Sequence, residues 1–203
     1  SKASSEVLEV VAQALRGGER SALLLGGRAM REHPLMAAGR IAAETGVKLL
    51  GETFPTRLER GAGLPPVEGL AYIPELASVQ LKGLKHLILV DARAPVSFFA
   101  YPGKKSYLVP DGCEVHELAA PDDDVTGSLE ALVEILGARA RQPIVRQPSR
   151  PERPTGDLTA EKTCQAIGAL LPERAIISDE AVTSGQTLAG MTAGAPRHDL
   201  LTI

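Results

Sequence analysis

The sequence predicts an α/β fold: a doubly wound, mainly parallel sheet of Rossmann-like layering, followed by an incomplete second α/β segment. Three observations carry this expectation. Short, wholly apolar runs such as Ser21–Leu25 and His86–Val90 (HLILV) alternate with segments of helical period, the pattern of βαβ units with a buried parallel sheet. Right-handed crossovers then leave the doubly wound topology as the simplest one. The 203 residues are 44% hydrophobic but only 3% aromatic, with no Trp, so the core must be built from Leu, Ile, Val and Ala, as is common where helices cover a parallel sheet.

The elements follow in order. Ser4-Ser5 caps a helix reaching Arg16, with Val7, Leu8, Val11 and Leu15 on one face and Gly17-Gly18 at its end. After the strand at 21–25 and the pair Gly26-Gly27, Pro34 opens a helix with the stripe Leu35, Ala38, Ile41 and Ala42. Gly46 takes its C-terminal position. Val47–Leu50 is the next strand, and 53–71 is a long loop rich in Gly, Pro and Arg. Pro74 opens a helix whose stripe is Leu76, Val79 and Leu81. Beyond the strand at 86–90, Ser106–Val109 and Glu114–Leu118 read as a fourth and a fifth strand. Asp122-Asp123-Asp124 precedes a helix from Thr126 to Arg139 and reads as capping charge rather than a metal cage. This first domain covers residues 1–140.

A Pro- and Arg-rich stretch, 141–157, reads as a linker, because proline favours extended chain and continues neither helix nor central strand. Residues 158–203 resume the pattern. Asp157 or Thr159 caps a helix carrying Cys164, Ile167 and Leu170. Ala175–Ser178 is a strand, Asp179–Gly185 is a loop, and Leu200–Ile203 starts another strand. So few elements cannot bury a core, so a second domain begins here without completing itself.

A net charge of −3 gives no broad positive field for nucleic acid and no polybasic membrane anchor. No apolar run approaches the roughly 18–20 residues of a bilayer span. Without a signal-peptide pattern at the N-terminus, the expected location is cytoplasmic. Cys113 and Cys164 lack metal-type spacing and read as unpaired thiols. His33, His86, His116 and His198 are dispersed, with no helical ligand spacing and no nucleophile elbow, so no metal site is expected.

Three loops carry candidate chemistry. Gly26-Gly27-Arg28 follows the first strand, where glycines permit close phosphate approach, but neither G-x-G-x-x-G nor a Walker A spacing is present. A plain tight turn explains it more simply. Asp91-Ala92-Arg93 follows the third strand. Its Asp suits a ribose hydroxyl and its Arg a phosphate, or the two form an ion pair that fixes the loop. Gly26, Gly27, Asp91 and Arg93 together would make a nucleotide site for FAD or NAD on a stand-alone domain. The third loop, Asp179–Gly185, offers hydroxyls and N–H groups either to a phosphate or to helix capping.

The order of segments is similar to one family. LLLGGRAM, HLILVDARAP, the Pro/Arg stretch and then DLTAEKTCQAIGALLPERAIISDEAVTSGQTLAG resemble the thiamine-diphosphate-dependent enzymes of the acetolactate synthase and benzoylformate decarboxylase type, in which three α/β domains follow one another. The resemblance implies the central domain plus the start of the C-terminal, diphosphate-binding one. The parent enzyme would decarboxylate a 2-oxo acid or join its activated aldehyde to another carbonyl. It would use thiamine diphosphate and Mg2+ and work as a homodimer or homotetramer. By position, Val182, Thr183 and Ser184 would form one edge of the diphosphate site, with Glu180 bracing the loop. The family's activating glutamate and its Gly-Asp-Gly…Asn magnesium motif lie in the other domains. The resemblance therefore implies no catalytic residue and no bound cofactor in this chain, whose partners would be the missing domains. The stretch Asp91–Val96 (DARAPV) departs from the Arg-Phe-Asp-Asp-Arg type of flavin-binding members. SDEAVTSG likewise departs from the Gly-Gln-His-Gln of true acetolactate synthases. Both departures argue against FAD and lean towards a flavin-free, decarboxylase-like or unassigned branch. The rival readings are the nucleotide-binding domain above and a non-catalytic interaction module.

Overall fold

The computed structural model describes residues 1–100 and 102–202. Chain contacts group it into two units, residues 1–53 with 67–143 and residues 54–66 with 144–203.

In the first unit, α1 (Ser5–Arg16) is capped by the Ser4 hydroxyl, which accepts the Val7 N–H, and buries Leu8, Val11, Ala12 and Leu15. Strand β1 (Ser21–Leu25) is buried along its whole length. A 3-10 turn, Gly27–Met30, separates it from α2 (Glu32–Thr45), which stops at Gly46 in the left-handed conformation. β2 (Lys48–Gly51) follows. The stretch 53–71, expected as plain loop, holds two short strands, β3 (Leu58–Arg60), which belongs to the second unit, and β4 (Glu68–Gly69). Then come α3 (Pro74–Leu81), β5 (His86–Val90), β6 (Glu114–Ala119) and α4 (Val125–Ile135), the last capped by the Asp124 carboxylate on the Gly127 N–H. The capping role of the acidic run is thus realised.

The sheet has the order β4-β2-β1-β5-β6, with every pairing parallel. Alternation along the strands sends Ala22, Leu24, Leu87 and Leu89 to one face, where they cluster with Leu81 of α3. Leu23, Leu25, Ile88 and Val90, all buried, point the other way, to the side where α2 packs on α4 and α4 on α1. This is the doubly wound α/β fold expected from the sequence.

Two further details depart from expectation. Ser106–Val109 is not a sheet strand. Its backbone bonds go to the irregular stretch 95–97, through Ser97 N–H to Ser106 O and Leu108 N–H to Pro95 O, with one antiparallel bridge between Val96 and Tyr107. β6 takes the place beside β5 instead. In α3 the buried pair is Ala77 and Leu81, while Leu76 and Val79 are 54% and 67% exposed, so the expected stripe is only partly right.

In the second unit, α5 (Ala160–Leu170) is capped by the Thr159 hydroxyl and buries Cys164 but leaves Leu170 exposed. β7 (Ile176–Asp179), the short α6 (Leu188–Met191) and β8 (His198–Thr202) follow. β8 is central in a three-stranded sheet, parallel to β7 and antiparallel to β3, with Leu58 opposite Leu200 and Arg60 opposite His198. Ile203, the last residue of the expected strand start, lies outside the described residues.

The Pro/Arg-rich stretch has no regular structure, and its later part is bonded into this second unit. Arg146 exchanges backbone bonds with Gly63 and Leu64, and Ser149 donates to Gly194 O. The Arg150 guanidinium holds the carbonyls of Ala169 and Leu171 at the end of α5, where a cation suits the unpaired carbonyls.

Candidate functional site

The residues that follow the three central strands meet at one point. Gly26 N–H donates to Val90 O, Glu52 N–H to Leu25 O and Asp91 N–H to Ala119 O, so the sheet ladder continues just past β1, β2 and β5. Strand order reverses here, between β1 and β5, and in open α/β sheets this is where ligands bind.

In this chain the position is filled from within. Glu52 Oε1 accepts the Gly27 N–H at 3.0 Å, and Asp91 Oδ2 accepts the Arg28 N–H at 2.6 Å. These are the donors a phosphate would use at such a turn. Two carboxylates therefore stand in for the anion. Asp91 is buried and sits at φ +52°, in the left-handed region that Asp tolerates better than most residues. Space at the turn requires glycine. A Cβ on Gly26 would lie 2.4 Å from Asp91 O, and one on Gly27, itself at φ +40°, 2.7 Å from Asp91 Oδ2. Burial pushes the Glu52 carboxyl above its usual range. The Gly27 N–H opposes that shift and the Asp91 charge adds to it.

The candidate residues Gly26, Gly27 and Asp91 are thus brought together, but Asp91 pairs with Arg28, at 3.4 Å, rather than with Arg93. Arg93 is exposed and makes none of these bonds. The Arg28 guanidinium reaches on to the carbonyls of Pro121 and Asp123. Sequence reasoning misses Glu52 because it stands between the strand and the Gly/Pro/Arg loop, with no motif around it. Its place one residue after a strand's end is the signal that was available. With its N–H donors taken and two carboxylates present, this turn does not favour a nucleotide.

The loop Asp179–Gly185 is open. Glu180, Thr183 and Ser184 are exposed, and Val182 is 90% exposed. The Asp179 carboxylate accepts the Ala181 N–H at 2.9 Å, and the Cys164 thiol donates to Ser184 O, tying the loop to α5. The hydroxyls of Thr183 and Ser184 stand at the surface beside these anchors.

The fold also joins two histidines that the sequence keeps far apart. His86, first in β5, and His116, in β6, place Nδ1 and Nε2 3.1 Å from each other. Glu114 lies two residues before His116 on the same face of β6, its carboxylate 3.7 and 3.8 Å from these nitrogens. Burial, then the neighbouring His86, lowers the pKa of His116, with Glu114 opposing.

No family model matches the sequence. Over 193 residues, 95% of this chain, it is 54% identical to a Mycobacterium tuberculosis protein named "Putative acetolactate synthase large subunit IlvX". The chain is homologous to a segment of that protein. It spans 37% of the relative's length. Among solved structures, the Rhodococcus jostii RHA1 thiamine diphosphate-dependent 4-hydroxybenzoylformate decarboxylase superposes on 98% of this chain with a TM-score of 0.70, at 16% identity, and 40% of that enzyme's chain is covered. The chain shares its fold with a segment of that enzyme. No helix among the described residues is long and apolar enough to cross a membrane.

Proposed function

We propose that this chain is the central domain, with the opening of the next domain, of a thiamine-diphosphate-dependent enzyme that acts on a 2-oxo acid by decarboxylation or carboligation. The observation that carries the reading is the 54% identity to an acetolactate-synthase-like protein along nearly the whole chain. The shared fold with a thiamine-diphosphate-dependent decarboxylase supports it. In this reading residues 1–140 are the central scaffold, 141–157 connect it, and 158–203 begin the cofactor-binding domain. The chain does not catalyse by itself. The parent enzyme is a cytoplasmic homodimer or homotetramer of lyase or transferase type.

The loop after β7 suits one edge of a diphosphate. Its hydroxyls at Thr183 and Ser184 are exposed donors, and a hydroxyl donor suits a charged oxygen. Asp179, turned onto the Ala181 N–H, keeps the loop's shape. Val182 and Glu180 complete the edge. The Mg2+ ligands belong to the Gly-Asp-Gly…Asn motif, and Gly-Asp-Gly does not occur in this sequence. Thiamine diphosphate, when bound, supplies the electron sink for carbanion chemistry. This chain contributes the scaffold and the hydroxyl edge.

The test uses the protein made from the complete reading frame that contains this chain. Replacing both Thr183→Ala and Ser184→Ala removes two hydrogen bonds of roughly 1 kcal/mol each. The dissociation constant for thiamine diphosphate, measured by calorimetry with Mg2+ present, should rise about 10- to 30-fold. An unchanged constant removes the loop from the site, and failure of the unsubstituted protein to bind the cofactor overturns the family reading.

A further inference from the structure

We infer that His86, Glu114 and His116 form a binding site for a late first-row divalent cation of the Zn2+ type, a cross-strand clip between β5 and β6 at the sheet end opposite the turn at Gly26. Three donor atoms, two imidazole nitrogens and a carboxylate oxygen, all lie within 4.8 Å of one another. Zn–N and Zn–O bonds of about 2.0–2.2 Å in a tetrahedron place neighbouring donors about 3.3–3.5 Å apart. The separations here are 3.1 Å between His86 Nδ1 and His116 Nε2, and 3.7 and 3.8 Å from them to Glu114 Oε2. Each lies within about half an ångström of that edge length.

The surroundings orient the ligands. The other nitrogen of His86, Nε2, lies 3.2 Å from Glu19 Oε2. A neutral His86 that donates Nε2–H to Glu19 presents the Nδ1 lone pair to His116 and Glu114, the carboxylate–histidine arrangement that fixes tautomer and ring in metal sites. Both imidazoles have side chains 13% exposed, held by neighbouring strands of a parallel sheet, while Glu114 is 72% exposed and can swing in to close on an ion. The outer side of the cluster stays open to water for a fourth ligand. Two imidazoles and one carboxylate suit Zn2+, Ni2+ or Cu2+ and do not suit Mg2+ or Ca2+, which take oxygen donors. The diphosphate edge proposed at Thr183 and Ser184 involves none of these three residues.

Co2+ reports directly on such a site through its visible ligand-field absorption. Titrated into this chain, Co2+ should bind at one ion per chain with a tetrahedral-type spectrum, and Zn2+ should displace it. His86→Ala and His116→Ala should abolish the band, with circular dichroism confirming the fold. Glu114→Gln, at an exposed position that leaves the fold intact, should weaken Co2+ at least tenfold, and His33→Gln should change nothing. Absence of the band, or a band that survives in both histidine variants, overturns the site. An affinity unchanged in Glu114→Gln overturns the three-donor set.

Discussion

Glu52 and Asp91 hold the turn after β1 by accepting, from within the chain, the N–H groups that such a turn commonly offers to a ligand. The arrangement has a pH signature. Burial foremost, and the Asp91 charge after it, raise the Glu52 pKa above 4.5 despite the opposing Gly27 N–H. The folded state therefore holds this proton more tightly than the unfolded chain. The stability Glu52 contributes is fully present below its unfolded pKa and is lost as pH rises through the folded one. Glu52→Gln keeps an amide oxygen for the Gly27 N–H and carries no charge. Its urea midpoint should lie above that of the unsubstituted chain at about pH 7, and the gap should close towards about pH 4. A variant less stable at the higher pH would mean that the ionised carboxylate is the favoured form in the fold.

At the scale of elements, α3 separates packing from composition. Its sequence, PELASVQL, is apolar on more than one side. The stripe Leu76, Val79, Leu81 and the pair Ala77, Leu81 are both written in it, and only the sheet decides between them. Leu81 is fully buried and Val79 mostly exposed. Leu81→Ala should cost about 2–5 kcal/mol in urea unfolding, and Val79→Ala no more than about 0.5 kcal/mol. Equal costs would place the core on the other face. Elements with one strong signal were legible throughout. Ser4, Asp124 and Thr159 cap their helices, Gly46 ends α2, and the apolar runs at 21–25 and 86–90 are strands. Ser106–Val109 has apolar residues of strand type but lies beside the irregular stretch 95–97. Propensity does not reveal the partner a strand needs. The histidine pair was hidden for the same reason. Thirty residues separate His86 and His116, and parallel pairing of β5 with β6 makes them neighbours, with only Glu114-Val115-His116 alternating legibly on one strand face.

At the scale of the whole molecule, the fold class was legible from the alternation of elements, and the membership of residues 54–66 was not. β3 is three residues inside a Gly-, Pro- and Arg-rich stretch, and it is a strand because β8, about 140 residues later, pairs with it. No local pattern of that length specifies so distant a partner. The candidate site was legible in kind only. Gly26, Gly27 and Asp91 do meet at the strand-order reversal, but Arg28 and Glu52 replace Arg93, and the cluster closes on itself. Function accordingly rests on relationship to a longer protein, of which this chain spans 37% in the Mycobacterium tuberculosis relative. The most direct test of that account is CO2 release from a panel of 2-oxo acids, including pyruvate and benzoylformate. The protein is made from the complete reading frame that contains this chain and assayed with and without thiamine diphosphate and Mg2+. The account predicts release from at least one 2-oxo acid only when the cofactor is present, and none from this chain alone. Cofactor-independent release, or turnover by this chain alone, would contradict it.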